Sequence, residues 1–257
     1  MRVLNQMLLI PSPLYSRERV RVRVFQMHSN SKIIIALDYS DLSQAQQFIA
    51  QLNPNDCHLK IGKNMFTQFG PDFVRELVQK NFSVFLDLKF HDIPKTVSDA
   101  CVSAAKLGVW MLDVHIAGGR AMLTAARKAI DALPDNKRPL LIGITVLTSL
   151  DQHDLAELNI NQSLEQTVLN LALLAKDCGL DGVVCSAIEA KMLREKCGND
   201  FLLVTPGISL TSEKQFDQKR VVTPEIALSN GADYLVIGRS ITNAKNPIEI
   251  LKKINQI

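Results

Sequence analysis

The sequence predicts a (β/α)8 TIM barrel folded as one domain over residues 31–257. Short strand-like runs alternate with helix-like segments eight times, the pattern of a parallel sheet with crossover helices. Charged or hydroxyl residues stand at the ends of several of these runs, where barrel sites are built. An open doubly wound sheet more often has about five or six strands. Neither G-x-G-x-x-G after the first strand nor G-x-x-x-x-G-K-[ST] occurs in the chain.

The elements follow in order. Residues 33–38 are apolar and β-branched, then 41–52 read as helix with Ser40 or Asp41 as N-cap. A short strand at 58–62 precedes a helix at 71–80 with Pro71 in its first turn. Residues 84–89 form the third strand, and Pro94 opens a helix to 107. Residues 110–116 are a strand ended by Gly118-Gly119, and 120–133 are helical. The continuous apolar run 140–147 is the fifth strand, and the helix at 161–178 is capped by Gly179. A strand at 182–185, a helix at 187–197, a strand at 201–205 and a short helix at 223–229 come next. The eighth strand spans 234–238, and the last helix 247–257.

Composition bounds the function. The chain has 257 residues, 47% of them hydrophobic, enough for one sizeable core. Its net charge of +3 is unevenly placed. Residues 1–30 hold five arginines and one acid, while the remainder carries 24 basic against 25 acidic residues. The domain itself therefore has no basic excess of the kind that binds nucleic acid. Residues 1–30 read as a disordered leader or an upstream start, with Met27 as the alternative first residue. An organelle transit peptide is the competing reading of an Arg-rich, acid-poor leader. Five scattered cysteines without a C-x-x-C pair fit reduced thiols in a cytoplasmic protein. No apolar run reaches membrane-spanning length.

The stretch Phe-Leu-Asp-Leu-Lys-Phe-His-Asp-Ile-Pro, residues 85–94, is the most informative. Asp87 and Lys89 are two apart on a strand, so both point to one face. A solvated ion pair on an edge strand is the plainer alternative, but Leu86 and Leu88 make the other face apolar, as in buried parallel strands. Asp38, Lys60, His115, Thr148-Ser149, Ser209 and Gly238-Arg239 fall at or near other strand ends. Closure of a barrel brings them to one mouth. Lysines and aspartates alternating in a desolvated pocket keep one another charged. A substrate anion beside Asp87 is repelled there, and Lys89 is placed to protonate the carbon left when that anion departs as a neutral molecule. Gly207 and Gly238-Arg239 match the usual barrel phosphate site after strands seven and eight. His91 and His115 lack metal-ligand spacing and read as packing groups, and Trp110 reads as core.

These residues resemble the signature of orotidine 5′-phosphate decarboxylases, in particular their bacterial branch. The resemblance runs from about residue 32 to 257. It includes Ala-Leu-Asp (36–38), Leu-Lys-Ile-Gly (59–62), Gly-Val-Trp-Met (108–111), Val-Leu-Thr-Ser (146–149), Val-Thr-Pro-Gly-Ile (204–208), Asp-Gln-Lys-Arg (217–220) and Val-Ile-Gly-Arg (236–239). It implies conversion of orotidine monophosphate to UMP and CO2, the last step of UMP synthesis, without a cofactor or metal. By the same resemblance, Lys89 is the proton donor, Asp87 opposes the substrate carboxylate, and Lys60 and Asp92 complete a Lys-Asp-Lys-Asp array. Asp92 and Thr96 come from the partner subunit of a homodimer. Asp38 contacts the ribose, Thr148 and Ser149 lie at the pyrimidine, and Gln218, Gly238 and Arg239 bind phosphate. Ser209 stands where the family usually has arginine. A hydroxyl supplies a hydrogen bond but no charge, so either nucleotide affinity falls or Lys214 or Lys219 in the following loop substitutes.

Two other readings remain at this level. One is a Mg²⁺-dependent keto-sugar-phosphate decarboxylase or synthase on the same barrel, which needs an acid where this chain has Lys60. The other is a non-catalytic binding protein whose Arg-rich leader docks on nucleic acid or an acidic membrane surface. The intact Lys/Asp array speaks against both.

Overall fold

The computed structural model describes residues 29–210 and 222–257. The leader reading with Met27, and the loop residues Lys214, Gln218 and Lys219, lie outside the described residues. Eight parallel strands close in sequence order into a barrel: β1 (Ile33–Leu37), β2 (His58–Gly62), β3 (Val84–Phe90), β4 (Met111–His115), β5 (Leu140–Ile144), β6 (Gly182–Val184), β7 (Leu202–Thr205) and β8 (Tyr234–Ile237). Between and after them run α1 (Leu42–Ile49), α2 (Lys63–Gln79), α3 (Pro94–Ala105), α4 (Gly119–Asp131), α5 (Gln152–Glu157), α6 (Leu164–Asp177), α7 (Ala190–Cys197), α8 (Pro224–Ser229), α9 (Arg239–Thr242) and α10 (Pro247–Asn255).

The period-2 alternation of each strand splits its side chains between two cores. Ile33, Ile35 and Leu37 point outward into the layer between strands and helices. Ile34 and Ala36 point inward, where they meet Phe85, Met111, Ile142, Val204 and Val236. Both sets are buried, which is why β1 reads as a continuous apolar run. Trp110 belongs to the inner core. Its ring stacks on His58 at 4.1 Å between centroids and meets Tyr234 edge-on at 5.1 Å. These three residues begin or immediately precede their strands, so they close the N-terminal end of the barrel and leave the other end open.

Among the described residues the structure adds three α-helical pieces to the expected set. α2 begins at Lys63, ahead of Pro71, because two helical runs meet at Gly70, whose φ is +69°. A left-handed backbone there lets the chain bend before Pro71 restarts the helix. α5 is opened by a capping box in which the Asp151 and Asp154 side chains cap each other's backbone. α9 is a single turn after β8. β5 stops at Ile144, short of the expected residue 147.

Candidate active site

The open end of the barrel holds a cavity of about 270 Å³, near the lower end of small-molecule sites, roughly 300–1,000 Å³. Asp38, Lys60, Asp87, Lys89, Thr148 and Arg239 line it, with Gly207 and Gly238. Its floor is apolar, formed by Ala36, Phe85, Ile144, Val184 and Val236. Ala36, Phe85 and Val236 are the upper members of the inner core, so the charged groups stand on a dry base.

Asp87 is the hub. Its Oδ2 lies 3.1 Å from Lys60 Nζ, and its Oδ1 accepts from Lys89 Nζ. The Asp87 and Lys60 side chains are each only 12% exposed. Burial alone would raise the Asp87 carboxyl, but Lys60 and Lys89 outweigh it and hold the group well below the usual carboxylate range. Burial likewise opposes the charge on Lys60, and Asp87 followed by Asp38 more than restores it, raising its pKa. The cluster is thus two ammonium groups sharing one buried carboxylate.

β3 is distorted where these groups sit. Leu86 pairs with Leu112 and Phe90 with Val114, so three residues of β3 face the single residue Asp113 of β4. Such bulges re-aim side chains beside active sites. Lys89 has φ +50°, a left-handed backbone that costs a non-glycine residue about 1–2 kcal/mol. Asp113 is wholly buried and accepts from the Lys89 backbone N–H through Oδ1 at 2.7 Å. Sequence reasoning passed over Asp113; the clue was a carboxylate at an inward position of the apolar run Met111–Val114.

The remaining expected residues divide. Asp92 and Thr96 are exposed and are not among the residues that line the cavity, and Asp92 Oδ1 accepts from the Ile93 N–H. Ser149 is exposed just past Thr148. Ser209 is buried beside α9, where its hydroxyl accepts from Ser240 at 3.4 Å. Gly207 has φ +77°, which turns the chain over the cavity after β7. The His91 and His115 rings stack on each other 5.3 Å apart outside the cavity lining. Burial, then the neighbouring His91, Lys89 and Lys63, lowers the pKa of His115. Among the described residues, no group of three or more His, Cys, Asp or Glu side chains is arranged to hold a metal ion.

Comparison with known proteins adds a second line of argument. The family model for "Orotidine 5'-phosphate decarboxylase / HUMPS family" matches residues 31–254. The chain belongs to this family. An orotidine 5'-phosphate decarboxylase of Psychromonas ingrahamii is 57% identical over 224 residues, 87% of this chain and 95% of the relative. One from Vibrio cholerae serotype O1 is 53% identical over 88% of this chain and 98% of its own. The crystal structure of the Lactobacillus acidophilus orotidine 5'-phosphate decarboxylase superposes with a TM-score of 0.78 at 37% identity, covering 87% of this chain and 98% of that one. The family's barrel and the closed eight-strand sheet found here agree.

Proposed function

We propose that this family member decarboxylates orotidine 5′-monophosphate to UMP and CO2, and that Asp87, Lys60 and Lys89 carry the chemistry. The observation behind the reading is the Lys60–Asp87–Lys89 cluster at the open end of the barrel, in a chain more than half identical to named orotidine 5'-phosphate decarboxylases. A substrate carboxylate beside Asp87 meets a carboxylate that its lysines keep ionised. Breaking the bond from C6 to the carboxyl carbon removes that repulsion as neutral CO2. The electron pair left on C6 takes a proton from Lys89 Nζ, and water later reprotonates the lysine. The lysines stabilise the developing charge through a preorganised field rather than a cofactor. Phosphate held by Gly207, Gly238, Arg239, Ser209 and Gln218 would press the reacting end toward Asp87, with Asp38 on the ribose and Thr148 and Ser149 on the base.

The reading extends to assembly and place. Asp92 and Thr96 face outward from their own chain, as residues do that complete a partner's site in a homodimer. The five cysteines are free and buried, and no helix among the described residues is long and apolar enough to cross a membrane, in keeping with a cytoplasmic enzyme. The test is the fall in absorbance of orotidine monophosphate with and without EDTA. Turnover that survives the chelator is expected, because Lys60 occupies the β2 position where the sugar-phosphate alternative needs an acid. Activity abolished by EDTA and restored by Mg²⁺ would transfer the chain to that alternative.

A further inference from the structure

The bulge in β3 diverts a backbone donor to an unusual acceptor. On the β4 side, Asp87, Leu88 and Lys89 face the single residue Asp113, and the backbone at Lys89 turns into the left-handed region at φ +50°. Its N–H donates to Asp113 Oδ1 at 2.7 Å. Asp113 points inward between Met111 and His115 and has no exposed surface. Its Oδ2 makes no well-formed hydrogen bond, although the carboxyl group stands within reach of Asp87. Filling space alone would favour an apolar side chain here, since burying a polar group without full pairing is costly.

We propose that Asp113 is a positioning residue for the decarboxylation: one of its oxygens locks the backbone of Lys89 in the left-handed turn while the other faces Asp87, and together they set the spacing of the two catalytic side chains. The inference rests on the reading of Lys89 and Asp87 given above. Burial, then the opposing Asp87 carboxylate, pushes Asp113 well above the usual carboxylate range. A neutral acid carries the proton that a contact with the Asp87 anion needs, and it adds no third negative charge to weaken the lysines' hold.

The experiment compares wild type with Asp113→Asn and Asp113→Leu, reading kcat and KM for orotidine monophosphate, thermal midpoint, and amide hydrogen exchange at Lys89. Asparagine keeps an acceptor for Lys89 and a donor for Asp87, so kcat should stay within about threefold of wild type. Leucine keeps the size and loses both, so kcat should fall at least about tenfold while KM moves less than about threefold, as expected when reacting groups are misplaced. Exchange at the Lys89 amide should quicken by at least about tenfold in the leucine variant. A leucine variant with wild-type kcat, or an asparagine variant as impaired as the leucine one, would overturn the proposal. If the leucine variant does not fold, rapid exchange at Lys89 in the wild type overturns it, and slow exchange with an active asparagine variant supports it. Wild-type protein that leaves orotidine monophosphate untouched would defeat the functional reading itself, and this inference with it, before any variant is compared.

Discussion

On the mechanism proposed above, Lys89 holds its proton until a carbanion forms beside it, and Lys60 is the other ammonium group lining the cavity. Lys89→Ala should therefore lower kcat by at least about 10²-fold, the usual worth of a general acid, with the thermal midpoint little changed; a variant retaining more than about a hundredth of the rate would be incompatible with that step. Asp113 titrates with the opposite sign to a salt-bridged carboxylate. Its folded pKa is raised by burial and by Asp87, so its stabilising protonation is complete below the unfolded value, near 4, and is lost as pH rises through the folded one. Asp113→Asn removes that loss, although Asp87, Lys89 and Lys60 still surround the position. The thermal midpoint of the asparagine variant should gain on wild type between pH 5 and pH 8, and a difference independent of pH would mean Asp113 is ionised. Lys60, Asp87 and Lys89 were legible in the sequence because charge inside an apolar strand is conspicuous. Asp113 is likewise a carboxylate in an apolar run, but what it faces depends on a register shift between strands that no single segment encodes.

At the scale of elements, the close approach of β6 and β7 constrains the sequence. β6 is three residues long and starts at Gly182, where an added Cβ would lie 2.1 Å from the Leu202 carbonyl oxygen. Gly182→Ala should cost at least about 1–3 kcal/mol, the range for overpacking a filled interior. Urea unfolding checks this as a lower midpoint with an unchanged slope; an alanine variant as stable as wild type would show that β6 and β7 separate more easily than their pairing suggests. All eight strands were readable from the alternation of short strand-like runs with helical segments, whereas helix limits were less so. Pro71 looks like the start of a helix, and only the left-handed Gly70 joins the preceding turns of α2 to it. α5 escaped notice although Asp151 and Asp154 carry the capping pattern that opens it, because six residues offer too little apolar periodicity.

For the whole molecule, the exposed Asp92 and Thr96 bear on assembly. Inactive Lys89→Ala and Asp92→Ala subunits, mixed and allowed to exchange, should recover activity, since each mixed dimer has one site with both defects and one with neither. Random pairing of equal amounts predicts about a quarter of the wild-type rate for a C2 dimer, with heterodimer formation followed by sedimentation. Verified heterodimers that stay inactive would confine Asp92 to its own chain. A shared site is invisible to strand and helix periodicity, which describes one chain's interior; the reading of Asp92 came from the family resemblance, and its exposed side chain, outside the lining of its own cavity, leaves it open to a partner. The opposite end of the barrel has a practical use. The sequence contains one tryptophan, and it sits 3% exposed in the stack with His58 and Tyr234, remote from the mouth. Burial lowers the His58 pKa to about 4, so its imidazole stays uncharged against the indole at neutral pH. The indole is consequently a native fluorophore for barrel closure, and its emission tracks folding in the same cuvette in which nucleotide absorbance tracks turnover.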